Sequence, residues 1–199
     1  MTRWQLFGAL AAVVSLVTAA AYALAPDPVQ SLQYAVRATA RTSFILFLTA
    51  FTASSLANLL PSGLTRALVH ERRYIGLSFA FSHLLHAAML IVYVKTAPEA
   101  FWVGRTPATN VPGYVGYLMI LLLTVTSFTT PARFIGPNSW KKLHRTGVWI
   151  IAIIFAGSFF TRVPQHADYV APGMIMIAAM LLRVAARPGN VHGANAPSR

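Results

Sequence analysis

Long apolar runs of similar length recur along the chain, separated by short segments that are polar or rich in proline and glycine. A helix needs about 20 mostly apolar residues to cross the hydrocarbon core of a bilayer. Six stretches meet that need: residues 4–25, 42–60, 74–95, 114–130, 142–162 and 169–184. Pro26, Asp27 and Pro28 stop the first, and Pro61, Ser62 and Gly63 stop the second. Pro112 and Gly113 open the fourth and Pro131 closes it. The first run is longer than the usual apolar part of a signal peptide, and Pro26 follows its small residues, so a retained helix is expected. The pattern predicts an all-α integral membrane bundle of six transmembrane helices. It forms a single domain over residues 1–186, with a disordered cytoplasmic tail over residues 187–199.

Composition fits this pattern. Of 199 residues, 56% are hydrophobic and 10% are charged, against about 25% charged in soluble domains. The net charge of +12 would suggest nucleic acid on a soluble protein, but basic residues flanking apolar spans record topology instead. With the N-terminus inside, the inner segments hold 11 Lys and Arg and the outer segments hold 5. That bias predicts an N-in, C-in protein that passes repeatedly through the inner (plasma) membrane. Its partner is then the lipid bilayer and not nucleic acid. Cysteine is absent, which excludes disulfides, iron–sulfur clusters, thiolate metal sites and cysteine catalysis.

Ionisable groups inside spans are costly and are the first candidates for function. His166 and His192 fall in the outer loop and the tail, and His70 falls at the inner interface. His83 and His86 lie mid-way along the third span. Three residues apart, they point to nearly one face of a helix. Neutral imidazole in an apolar protein cavity is a good haem-iron ligand. A hydrogen-bonded core pair or a proton relay is the other reading. His144 opens the fifth span beside Lys141, Lys142 and Arg145, as a ligand or as an interfacial residue. The many Ser and Thr of the second and fourth spans are expected to bond back to helix carbonyls or to pack helices closely. No Asp or Glu lies within a predicted span, which counts against a cation- or proton-coupled transporter. No flavin, nicotinamide, P-loop or HExxH motif is present.

Two stretches together carry a resemblance. One runs from Arg72, Arg73, Tyr74, Ile75, Gly76 and Leu77 to Phe81 and His86. The other is Thr126 and Ser127, followed by Trp140, Lys141, Lys142, Leu143, His144 and Arg145. Across about residues 40–165 the chain resembles the ferric reductase-like transmembrane domain family. Within it the chain is most similar to the short bacterial haem-binding membrane subunit that serves periplasmic methionine-sulfoxide reductase. The resemblance implies an oxidoreductase-type electron-transfer subunit with haem b, one or two, held by metal ligands among His86, His144 and His83. Arg72, Arg73 and Arg145 would pair with haem propionates. It implies quinol or a flavin reductase as the inner donor and a periplasmic redox protein as the outer acceptor.

One implied ligand is missing. The resemblance places a second histidine about 13 residues after His144, where this chain has Gly157. By helical rise His86 lies about 19.5 Å beyond Arg73, whereas His144 lies only about 3 Å beyond Lys142. One haem joining them would require the helices to slide by about 12 Å or more. The alternatives are a five-coordinate haem on His86 or His83, a soft sixth ligand such as Met176, or His144 paired with His70. A cofactor-free protein of the same fold, acting as a binding or assembly partner of a redox complex, is the reading from another class.

Overall fold

The computed structural model describes residues 3–106 and 108–186. The expected tail at 187–199 lies outside them. Eight α-helices follow in order: α1 (Arg3–Ala23), α2 (Pro28–Leu59), α3 (Gly63–Thr96), α4 (Pro98–Trp102), α5 (Val111–Val125), α6 (Thr129–Ile135), α7 (Pro137–Phe160) and α8 (Val170–Ala185). No strand occurs among the described residues. Six segments are long and apolar enough to cross a membrane: α1, α2, α3, α5 with its short 3-10 lead-in, α7, and α8 with its own. The protein is an all-α, six-helix, multi-pass membrane bundle. The end carrying Arg66 and Lys141 is called inner below, following the basic excess.

Two helices are longer than their apolar runs. α2 starts at Pro28, not near residue 42, and α3 starts at Gly63, not near residue 74. Asp27 caps α2, accepting from the backbone N–H groups of Val29 and Gln30 at 3.0 and 2.9 Å. Ser62 and Thr65 form a reciprocal capping box at the start of α3. Thirty-four residues of α3 span about 51 Å, against a hydrocarbon core of about 30 Å, so the helix is longer than the core is thick. Glu71 therefore belongs to helix α3, although it precedes the apolar run. α5 ends at Val125 and does not reach residue 130. There the hydroxyls of Thr126 and Ser127 take the carbonyls of Leu122 and Leu123, and Trp140 Nε1 donates to the Thr126 carbonyl at 2.8 Å.

The centre of the bundle is α2 against α3, with α1 packed on both. Phe44, Phe47 and Phe51 recur every three or four residues along α2 and are buried. They meet Phe79 of α3, Ile120 of α5, Ile151, Ala152 and Ala156 of α7, and Met176 and Ala179 of α8. α7 packs on α5 and α8. It approaches α5 closely because Gly147 leaves room for Leu123, whose side-chain carbons lie 3.0–3.2 Å from where a Cβ would stand. Direct packing between α3 and α7 is slight, and the space between them is a cavity.

Candidate functional site

The cavity occupies the inner half of the bundle and has a volume of about 490 Å³. Phe47, Phe51, Leu77, Phe79, Ile120 and Ile151 give it apolar walls. Its inner rim carries Arg72 and Arg73 from α3, Lys141 and Arg145 from α7, and Arg183 from α8, with no carboxylate among the lining residues. Arg72 is half-buried, and donates from Nε to the Ala50 carbonyl at 3.0 Å and from Nη1 to Ser54 at 3.2 Å. Arg183 lies over the Phe51 ring and donates to the Phe51 carbonyl. Two guanidinium groups are thus fixed against α2 by carbonyls already inside its helical ladder. A bundle that needed only helix contacts would not require five cations around one cavity.

His144 lines this cavity. Its ring stacks on Trp140, with centres 4.3 Å apart and planes at 29°. Its Nε2 is 3.0 Å from Thr126 Oγ1, and that hydroxyl donates to the Leu122 carbonyl at 2.6 Å. The threonine proton is thereby engaged, so Nε2–H is the donor and Nδ1 keeps the lone pair.

His83 and His86 sit above the cavity toward the outer end, as the 83/86 spacing predicts, with ring centres 5.3 Å apart. His86 Nδ1 lies 2.9 Å from Thr39 Oγ1 and 3.1 Å from the Val36 carbonyl. A carbonyl only accepts, so Nδ1 carries the proton and Nε2 the lone pair. Thr42, Ser43 and Ser82 form a hydroxyl cluster that ties α2 to α3, and Ser82 donates to the Thr39 carbonyl. His83 is enclosed by rings: Phe79 at 5.5 Å, Tyr117 at 5.0 Å and Phe155 at 6.2 Å. Its buried Nδ1 and the buried Tyr117 hydroxyl have no hydrogen-bond partner.

The chain is similar to a haem-binding subunit. The relative is the protein-methionine-sulfoxide reductase haem-binding subunit MsrQ of Caulobacter vibrioides, 28% identical over 123 residues. The match takes in 59% of this chain and 57% of the relative, so the chain spans little more than half of that protein's length. No protein-family model matches the chain, and no solved structure matches it.

The structure distributes the candidate ligands over two depths. His144, Arg72, Arg73 and Arg145 come together around the cavity, while His83 and His86 stand apart from it. His70 is exposed, hydrogen-bonded to Glu71 at 2.7 Å and in contact with Arg3, and does not line the cavity with His144. Met176 is fully buried in the phenylalanine core. Gly157 is exposed, with no atom within 4 Å of its missing Cβ. The side of α7 that meets His83 belongs to Phe155 instead, so Gly157 does not leave a coordination position open there. Among the described residues no three of His, Cys, Asp or Glu gather to hold a metal. Sequence reasoning quoted Thr126, Trp140 and Lys141 within the second motif but gave them no part in a site, and it did not single out Arg183 or Tyr117. Tyr117 carried a signal, a phenol inside an otherwise apolar run. Arg183 was counted only toward topology.

Proposed function

We propose that this protein is a haem-b electron-transfer subunit of a bacterial inner membrane, carrying electrons from an inner-side donor to an outer-side acceptor. The cavity beside His144 carries this reading. Its volume lies within the roughly 300–1,000 Å³ range of cofactor and ligand sites. Its walls are apolar, and its rim of Arg72, Arg73, Lys141, Arg145 and Arg183 suits a flat apolar molecule with two carboxylates at one edge. The similarity to a haem-binding subunit supports the same ligand.

Haem, when bound, supplies a one-electron centre. His144 would hold the iron through Nδ1, the nitrogen its contact with Thr126 leaves with a lone pair. Arg72, Arg73, Arg145 and Arg183 would hold the propionates, and the phenylalanines would exclude water and lipid. Quinol or a flavin reductase would serve as donor, and a periplasmic redox protein as acceptor. His144 lines the cavity and His83 and His86 do not, so His144 takes precedence over them as haem ligand, and one haem is proposed.

The test is a dithionite-reduced minus oxidised spectrum of the detergent-purified protein. A Soret and α-band are expected in wild type, mostly lost in His144→Ala and retained in His86→Ala. The opposite pair of results would move the haem to the outer half. A featureless wild-type spectrum would leave the cofactor-free assembly partner, a reading favoured by the presence of a single histidine at the cavity.

A further inference from the structure

We infer that the inner end of α7 holds the headgroup of an anionic phospholipid, in a recess beside the haem cavity. The recess has a volume of about 310 Å³ and is formed by Asn138, Lys141, Lys142, Arg145 and Thr146. All five are exposed. At 100° per residue they fall within an arc of about 140°, so three cations, an amide and a hydroxyl face one way. Lys141 and Arg145 also line the haem cavity, whereas Asn138, Lys142 and Thr146 do not. The chain's four acidic side chains are placed elsewhere. Asp27 caps α2, Glu71 is bonded to His70, Glu99 lies in α4 and Asp168 lies near Arg41. Charge complementarity therefore calls for an anion from outside the chain, and the donors of the recess suit a phosphodiester.

Depth and continuity make that anion a lipid. From Leu143 to Phe160 α7 rises about 26 Å, close to the hydrocarbon thickness of about 30 Å. Lys141 and Lys142 thus stand at headgroup level, and Arg145 reaches it along its apolar stem. Outward from the recess the same side of α7 turns apolar. Ile153 stands about 20° round the helix from Lys142 and about 16.5 Å farther along it, and is 58% exposed. Gly157 follows at about 60° and is exposed too. A cationic recess that leads into an exposed apolar strip has the polarity order of a phospholipid, phosphate first and acyl chain second. Just before the Gly136 turn, Phe134 of α6 is 92% exposed, as an aromatic side chain is where a segment dips into the bilayer interface. A soluble acidic protein would account for the cations but not for the strip that continues from them.

The test is native mass spectrometry of the full chain, delipidated in a non-ionic detergent and given phosphatidylglycerol and phosphatidylcholine in equal amounts. One phosphatidylglycerol per chain should be retained, at least tenfold over phosphatidylcholine. Lys142→Gln should weaken its retention about fivefold, and Lys142→Glu should abolish it. Arg66→Gln removes the same charge from the exposed inner end of α3 and should change nothing. Haem content, read on the same samples, should not change in these variants. Lys142→Gln at wild-type affinity, or an equal loss in Arg66→Gln, would overturn the site, the second by reducing it to general surface charge. Equal retention of the two lipids would also overturn it and leave the cations to an acidic protein partner. Inorganic phosphate at the lipid's concentration should not displace the lipid, and displacement would replace the lipid by a free anion. Loss of haem in Lys142→Gln would overturn the separation of recess and cavity. A wild type without haem that keeps phosphatidylglycerol would overturn the proposed function and leave the lipid site standing.

Discussion

Gly157 and Phe155 are neighbours but one on α7, and two residues turn a helix by about 200°. This rotation gives Phe155 to His83 and sets Gly157 on the opposite, open side. By spacing alone Gly157 stands for a lost or vacant ligand, because spacing along a helix does not fix the helix's rotation. Gly157→Ala should therefore stabilise the protein by about 0.5–1 kcal/mol through helix propensity alone, measured as a raised unfolding midpoint. Gly157→His should leave haem content unchanged, and a rise in the Soret band would show that α7 turns this side inward. The buried hydroxyls behave differently. Ser82 bonds Ser43 at 2.9 Å and contacts Thr42 at 3.0 Å, yet such bonds between membrane helices average only about 0.6 kcal/mol. Ser82→Ala should cost about that much, while Phe51→Ala, which empties a fully buried position, should cost about 3–5 kcal/mol. Equal losses in the two variants would show the hydroxyl cluster to be the stronger tie.

Among the elements, the number and order of helices were legible because an apolar run of about 20 residues fits little besides a membrane-spanning helix. Their ends were not. Residues 28–41 contain Gln30, Gln33, Arg37 and Arg41 and look like a loop, but Leu32, Ala35 and Thr39 share a buried face against α3. Gln33 also bonds the Tyr93 hydroxyl at 2.8 Å. Amphipathic helix outside the bilayer is hidden from a search for continuous apolarity. The pairing of α5 with α7 was equally hidden, since it depends on one glycine meeting one leucine. Gly147→Val should force Leu123 and α5 away from α7, at about 1–3 kcal/mol for overpacking. His144 is one turn from Gly147 and is held by Thr126 at the end of α5. The same substitution should therefore lower haem content beyond the loss of folded protein, read as Soret absorbance per mole of helical protein. Haem content that tracks stability alone would separate His144 from this packing.

At the scale of the whole molecule, one set of charges serves two ends. Five of the 11 basic residues assigned inside line the cavity: Arg72, Arg73, Lys141, Arg145 and Arg183. Taken as cavity groups they would not need to report topology, and the remaining bias would be small. Insertion precedes folding, however, and the positive-inside rule acts on basic residues flanking the spans of an unfolded chain, whatever they later bind. All 11 therefore count toward the expected N-in orientation, under which the charges that build the cavity also set the face toward which it opens. The absence of cysteine makes this directly measurable. Glu99 lies in α4 beyond the outer end of α3, and Asn138 lies in the first turn of α7 at the inner end. Both are exposed. In intact spheroplasts a membrane-impermeant maleimide should label Glu99→Cys and spare Asn138→Cys until the cells are lysed. Reversed labelling would invert the bundle. His144 and its cations would then face the periplasm, and an inner donor would have to reach the haem from the side of His83 and His86.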